Sequence, residues 1–155
     1  MKHKLYSNTY FFAKEKHWKN ILMKFMARKN NVILMDINKN VREALQKLSY
    51  VLKQGKNVII FPEGTRSKTG MKEFKEAFAI LSKELNIPVV PVVIYGSNRA
   101  SYQRFKFPRY FAPVNVEFLP PIYPGEEEDS TTLKNRIQSV FVSKLEEYRK
   151  RKEKN

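Results

Sequence analysis

The chain has 155 residues, 42% of them hydrophobic and 13% aromatic, and carries 30 Lys/Arg against 15 Asp/Glu for a net charge of +15. That much apolar material supports one domain with a real core and argues against a disordered chain. With no cysteine, a disulfide framework, a thiol nucleophile and a Cys-based metal site are all excluded.

The basic balance favours polyanionic partners: nucleic acid, an anionic membrane surface or a phosphorylated substrate. It is uneven, with twelve Lys/Arg against three acids in residues 1–55 and a basic run Arg149-Lys150-Arg151-Lys152 near the end. No stretch approaches the ~20 apolar residues of a membrane span. Lys14, Lys16 and Lys19 break up any signal-peptide hydrophobic region. Contact with a membrane is therefore expected on its surface rather than through it.

In chain order, residues 13–28 place Trp18, Ile21, Leu22, Phe25 and Met26 on one helical face, which reads as a core helix or a basic amphipathic element at a membrane. Residues 31–37 read as a buried strand. Asn40 with Glu43 resembles a capping box, opening a helix through Val41, Ala44, Leu45, Leu48 and Leu52 that Gly55 stops. Residues 57–61 read as a core strand. Residues 71–85 predict a helix with Phe74, Ala77, Phe78, Leu81 and Leu85 on one face, ended by Asn86 and Pro88. Residues 89–95 read as a strand in which Pro91 marks an edge or a bulge. A long aromatic and basic loop follows, with Tyr102, Arg104, Phe105, Lys106, Phe107, Arg109, Tyr110 and Phe111. It suits a membrane surface, single-stranded nucleic acid, or a packed surface loop. Residues 114–119 form a further strand, and Ser130 caps a last helix carrying Leu133, Ile137, Val140, Phe141 and Leu145.

The predicted order is helix, strand, helix, strand, helix, strand, strand, helix. It implies an α/β fold with a mixed, largely parallel sheet flanked by helices. Residues 1–145 are expected to form the domain and 146–155 a basic C-terminal tail. Ligands of such sheets bind beyond the carboxyl ends of the strands.

The loop Phe61-Pro62-Glu63-Gly64-Thr65-Arg66-Ser67 leaves a buried strand directly. Pro62 stiffens the exit, and Gly64 lets the backbone approach a ligand. Arg66 offers a planar fork for a phosphate, with Thr65 and Ser67 adding hydroxyl donors. Glu63 either orders Arg66 or accepts a hydrogen bond from a substrate hydroxyl. An ordinary polar turn with a surface ion pair is the plainer alternative.

These seven residues resemble the third sequence block of the lysophospholipid and glycerol-3-phosphate acyltransferase family, residue for residue. Phe74-Lys75 is similar to a Phe-Lys step that follows it there, Ile87-Pro88-Val89-Val90-Pro91-Val92 to the fourth block, and Val32-Ile33-Leu34-Met35-Asp36 to the second. The likeness spans roughly residues 12–125 and is greatest to acyltransferase domains joined to acyl-activating ligases. It implies transfer of an acyl group from acyl-CoA or acyl carrier protein to the hydroxyl of a lysophospholipid or glycerol phosphate, in phospholipid synthesis or remodelling. It also implies a substrate-binding set of Glu63, Gly64, Thr65 and Arg66. No metal and no cofactor is expected, an anionic membrane surface is, and nucleic acid is not. The implied location is cytoplasmic, peripheral on the inner face of the membrane.

The resemblance also implies a catalytic dyad, a His followed after four residues by an Asp, in which the Asp orients the His as general base. The two histidines here do not supply it: His3 is followed by Asn8 at that spacing and His17 by Leu22. A His-Asn pair stabilises an imidazolium less well than His-Asp. No catalytic residue is therefore assigned. The chain is expected to be incomplete at its N-terminus, with Met1 falling after the dyad, and inactive alone. Ile37 stands where many relatives carry Arg, with Lys39 as its possible substitute. The alternative function is a non-enzymatic module that binds anionic membranes or lipid phosphate.

Overall fold

The computed structural model describes residues 8–14, 25, 27, 29–35, 40–65, 70–97 and 113–153. Its strands are β1 (Thr9–Lys14), β2 (Val32–Met35), β3 (Asn57–Ile59), β4 (Val92–Tyr95) and β5 (Asn115–Phe118). Its helices are α1 (Val41–Lys53), α2 (Ala77–Leu85) and α3 (Ser130–Glu153).

The aromatic and β-branched run Thr9-Tyr10-Phe11-Phe12 forms the central strand of a parallel sheet ordered β2–β1–β3. β1 pairs on one side with β2, Phe11 opposite Val32, and on the other with β3, Phe11 opposite Ile59. This corrects the expected helix over 13–28: Ala13 and Lys14 end a strand. Phe25, Ala27 and Lys29 are helical, and the other positions of that helix lie outside the described residues. β4 and β5 pair antiparallel, Val92 opposite Phe118 and Ile94 opposite Val116. The expected mixed, largely parallel sheet flanked by helices is the fold observed.

Local chemistry sets the helix ends. The Asn40 side chain accepts the Glu43 N–H at 3.1 Å and donates back to the Glu43 carboxylate at 3.3 Å, holding the first turn of α1. Gly55, with φ of 70°, donates to the Leu52 carbonyl and ends that helix. Asn86, with φ of 48°, ends α2 in the same left-handed way. Asp129, rather than the expected Ser130, caps α3, its carboxylate accepting the Thr132 N–H at 2.7 Å. α3 then passes through residue 145 to Glu153 without interruption.

The helix expected from residue 71 begins only at Ala77. Tertiary partners take the backbone donors of the segment before it. The Phe74 N–H donates to the Gln138 side chain at 3.0 Å and the Lys75 N–H to the Pro62 carbonyl at 2.9 Å. Phe74 nevertheless enters the core, edge-on to Phe78 and Phe141 with ring centroids 6.2 and 5.2 Å apart. With Ala79, Leu133 and Ile137 it forms one buried cluster, against which Ile60 packs from beyond β3. A second cluster joins Val93, Tyr95 and Leu119 to Val140, Leu145 and Tyr148 of α3, and Phe141 touches both.

Pro91 separates β4 from an isolated bridge between Val89 and Ile122. Having no N–H, it breaks the ladder, while its carbonyl accepts the Leu119 N–H at 2.9 Å.

Candidate functional site

Because β1, β2 and β3 run parallel, their carboxyl ends lie at one edge of the sheet. The bend that follows β3 opens at that edge. Phe61 to Gly64 form a tight turn in which the Gly64 N–H returns to the Phe61 carbonyl at 3.0 Å. Pro62 takes the second position, where its fixed φ suits the turn. Gly64 has φ of 62°, a left-handed conformation that a side chain resists.

Two hydrogen bonds fasten the bend to the segment before α2. The Pro62 carbonyl accepts the Lys75 N–H, and the Glu63 carboxylate accepts the Lys72 N–H at 3.0 Å. Glu63 therefore has a role that neither expectation named: it holds the chain that returns across the bend. Glu63 and Gly64 are half-buried and Thr65 is exposed. Arg66 and Ser67 lie outside the described residues, as do His3, His17, Asp36, Ile37, Lys39 and the aromatic-basic segment 102–111.

Sequence reading left one cation, Lys75, off the site. A Cβ built on Gly64 would lie 3.3 Å from Cε and 3.8 Å from Nζ of Lys75, so the lysine stem crosses the glycine and its ammonium stands over the bend. The sequence signal was the Phe74-Lys75 step: Phe74 is buried in the core, and the Lys75 N–H beside it is held by the Pro62 carbonyl of the turn. A hydrogen-bonded bend beneath an exposed lysine, with Arg66 two residues beyond Gly64 in sequence, suits a compact anion such as a phosphate.

Ionisable groups elsewhere serve the packing of α3. Burial and a 2.8 Å hydrogen bond to Glu117 push the Tyr95 hydroxyl up to about 12. The same bond, with Lys144, holds the Glu117 carboxyl below its ordinary value. Arg136 beside Glu128 holds that carboxyl down as well. An open groove of about 360 Å³ lies between β2 and α1, lined by Ile33, Gln46, Lys47, Tyr50 and Val51, and shares no residue with the bend. Among the described residues no three His, Asp or Glu are grouped so as to hold a metal ion. Among them too, no helix is long and apolar enough to cross a membrane.

A family model described as Acyltransferase matches residues 1–95. A 1-acyl-sn-glycerol-3-phosphate acyltransferase of Cocos nucifera is 35% identical over 103 residues, covering 64% of this chain and 33% of that protein. The alpha form of the same enzyme from Homo sapiens is 33% identical over 128 residues, covering 75% of this chain and 43% of that protein. The chain thus spans less than half the length of these curated relatives. The crystal structure of the 1-acyl-sn-glycerophosphate acyltransferase PlsC from Thermotoga maritima superposes with a TM-score of 0.71 at 27% identity, over 92% of this chain and 57% of that one. The family model, the relatives and the fold agree: the chain belongs to the acyltransferase family.

Proposed function

We propose that the chain binds the phosphate of an acylated glycerol phosphate at the bend Glu63-Gly64-Thr65-Arg66, as the acceptor side of acyl transfer from an acyl-CoA or acyl carrier protein thioester. The observation that carries this reading is the Lys75 stem lying across Gly64, which sets a cation over a turn whose next residues are Thr65 and Arg66. The names of the relatives, 1-acylglycerol-3-phosphate acyltransferases, support the same acceptor. Lysophospholipids are presented at bilayers, so the chain works from the cytoplasmic side as a peripheral protein, which its excess of cations favours.

A second reading, a lipid-phosphate binding module without turnover, is favoured by one observation. Neither histidine of these 155 residues is followed at the dyad spacing by an aspartate. The two readings share the binding step and differ in chemistry. The test is equilibrium binding of lysophosphatidate and of glycerol 3-phosphate, together with thioester-dependent acylation by residues 1–155 alone. Binding without turnover fits a general base missing from this chain, and robust turnover refutes that part. No preference for glycerol 3-phosphate over glycerol refutes the acceptor site itself.

A further inference from the structure

The two faces of the β4–β5 pair differ: one carries Asn115 and Glu117 among its apolar residues, and the other is apolar throughout. On one, Val93, Tyr95 and Leu119 pack against α3. On the other, Val92 and Ile94 lie opposite Phe118 and Val116, and Val90 and Val114 extend the same surface by the two-residue alternation. Phe118 is 73% exposed and Val116 is 52% exposed, so nothing described covers them. The solvated face of an antiparallel pair ordinarily alternates to polar residues; this one carries no charged or polar side chain among the six.

The connection between the two strands adds charge. It leaves after Gly96 and returns at Pro113, and these ends touch: a Cβ on Gly96 would lie 2.5 Å from the Pro113 carbonyl oxygen. Residues 98–112 hold four cations (Arg99, Arg104, Lys106 and Arg109) and no acid, interleaved with five aromatic residues. An uncharged apolar surface tethered to a cationic, aromatic segment complements an anionic bilayer, where apolar side chains enter the interface and cations meet headgroups. A second copy of the chain is the poorer occupant, because it would bring another +15 of like charge.

We infer that the outer face of β4–β5, with Phe118 and Val116 at its centre, docks the chain on an anionic membrane surface. This deepens the lipid-acceptor reading, on which the choice of a bilayer rests.

The test is co-sedimentation of the 155-residue chain with vesicles of phosphatidylcholine alone or mixed equally with phosphatidylglycerol. The wild type should partition onto the mixed vesicles and not the neutral ones. Phe118→Ser should reduce that partition by about tenfold, because the ring's transfer out of water is lost. Tyr50→Ser, at an exposed aromatic on α1, should leave it unchanged. Hydrogen exchange on the wild type gives a second readout, with slowed exchange across β5 when mixed vesicles are added. Equal binding to neutral vesicles, an unaffected Phe118→Ser, or equal losses in both variants would overturn the inference. So would a stable solution dimer that Phe118→Ser splits. Glycerol 3-phosphate binding, measured without vesicles, reports on the bend independently, so either reading can fail while the other stands.

Discussion

The Lys75 side chain crosses Gly64, with Cε 3.3 Å from where a Cβ on that glycine would sit. The glycine thus meets two demands at once, a left-handed φ and room for a lysine stem. Gly64→Ala should cost roughly 1–2 kcal/mol from backbone strain alone. It should also displace the Lys75 ammonium and weaken glycerol 3-phosphate binding. Lys75→Met keeps a stem of similar length and removes the charge. It should weaken binding about tenfold, the order of one charge-assisted hydrogen bond, with little change in melting temperature. Titration calorimetry and thermal denaturation on the two variants separate strain from charge.

Glu63 binds the Lys72 N–H, so its role is to hold the returning segment. Glu63→Ala should destabilise the fold by about 1 kcal/mol and loosen the chain over the bend, whereas Glu63→Gln, which keeps an acceptor oxygen, should cost less than half of that. Urea denaturation measures both. Equal effects from the two substitutions would show that the charge, rather than the acceptor, matters.

Phe74 is buried against Phe78, Phe141, Leu133 and Ile137 directly beside Lys75. Phe74→Ala should cost about 3–5 kcal/mol, the usual range for emptying an aromatic core position. Phe61, on the same bend but 60% exposed, should tolerate Phe61→Ser with a loss within about 0.5 kcal/mol. Chemical denaturation of the two variants distinguishes a core anchor from a surface ring.

The Asn40 and Glu43 cap was legible because capping depends on residues three apart in sequence. So was the bend at Pro62 to Gly64, since turn chemistry is local. β1 was not: its aromatic run becomes a strand because β2 and β3 pair on both its edges, and those partners are distant in sequence. The late start of α2 was hidden for a similar reason, as Gln138 and Pro62 take the donors of Phe74 and Lys75. Lys75 was legible as part of a family step but not as a site residue, because only the fold lays it over Gly64.

The junction of β4–β5 with α3 should respond to pH at both ends. In the fold Tyr95 is raised from the ordinary 10.0 to about 12, so its contribution is complete below pH 10 and is lost as pH rises towards 12. The Glu117 carboxyl is lowered from 4.5, so its contribution is present above pH 4.5 and fades as pH falls below that. Tyr95→Phe should flatten the alkaline loss, and Glu117→Gln should flatten the acid one. Denaturation midpoints across pH check both, and an unchanged alkaline limb in Tyr95→Phe would sink the assignment.

The most direct measurement is calorimetric titration of glycerol 3-phosphate into the wild type, Arg66→Ala and Lys75→Met, at fixed ionic strength. Phosphate recognition at the bend predicts a loss of about tenfold or more in Arg66→Ala and a similar loss in Lys75→Met. Wild-type affinity in both variants would contradict it.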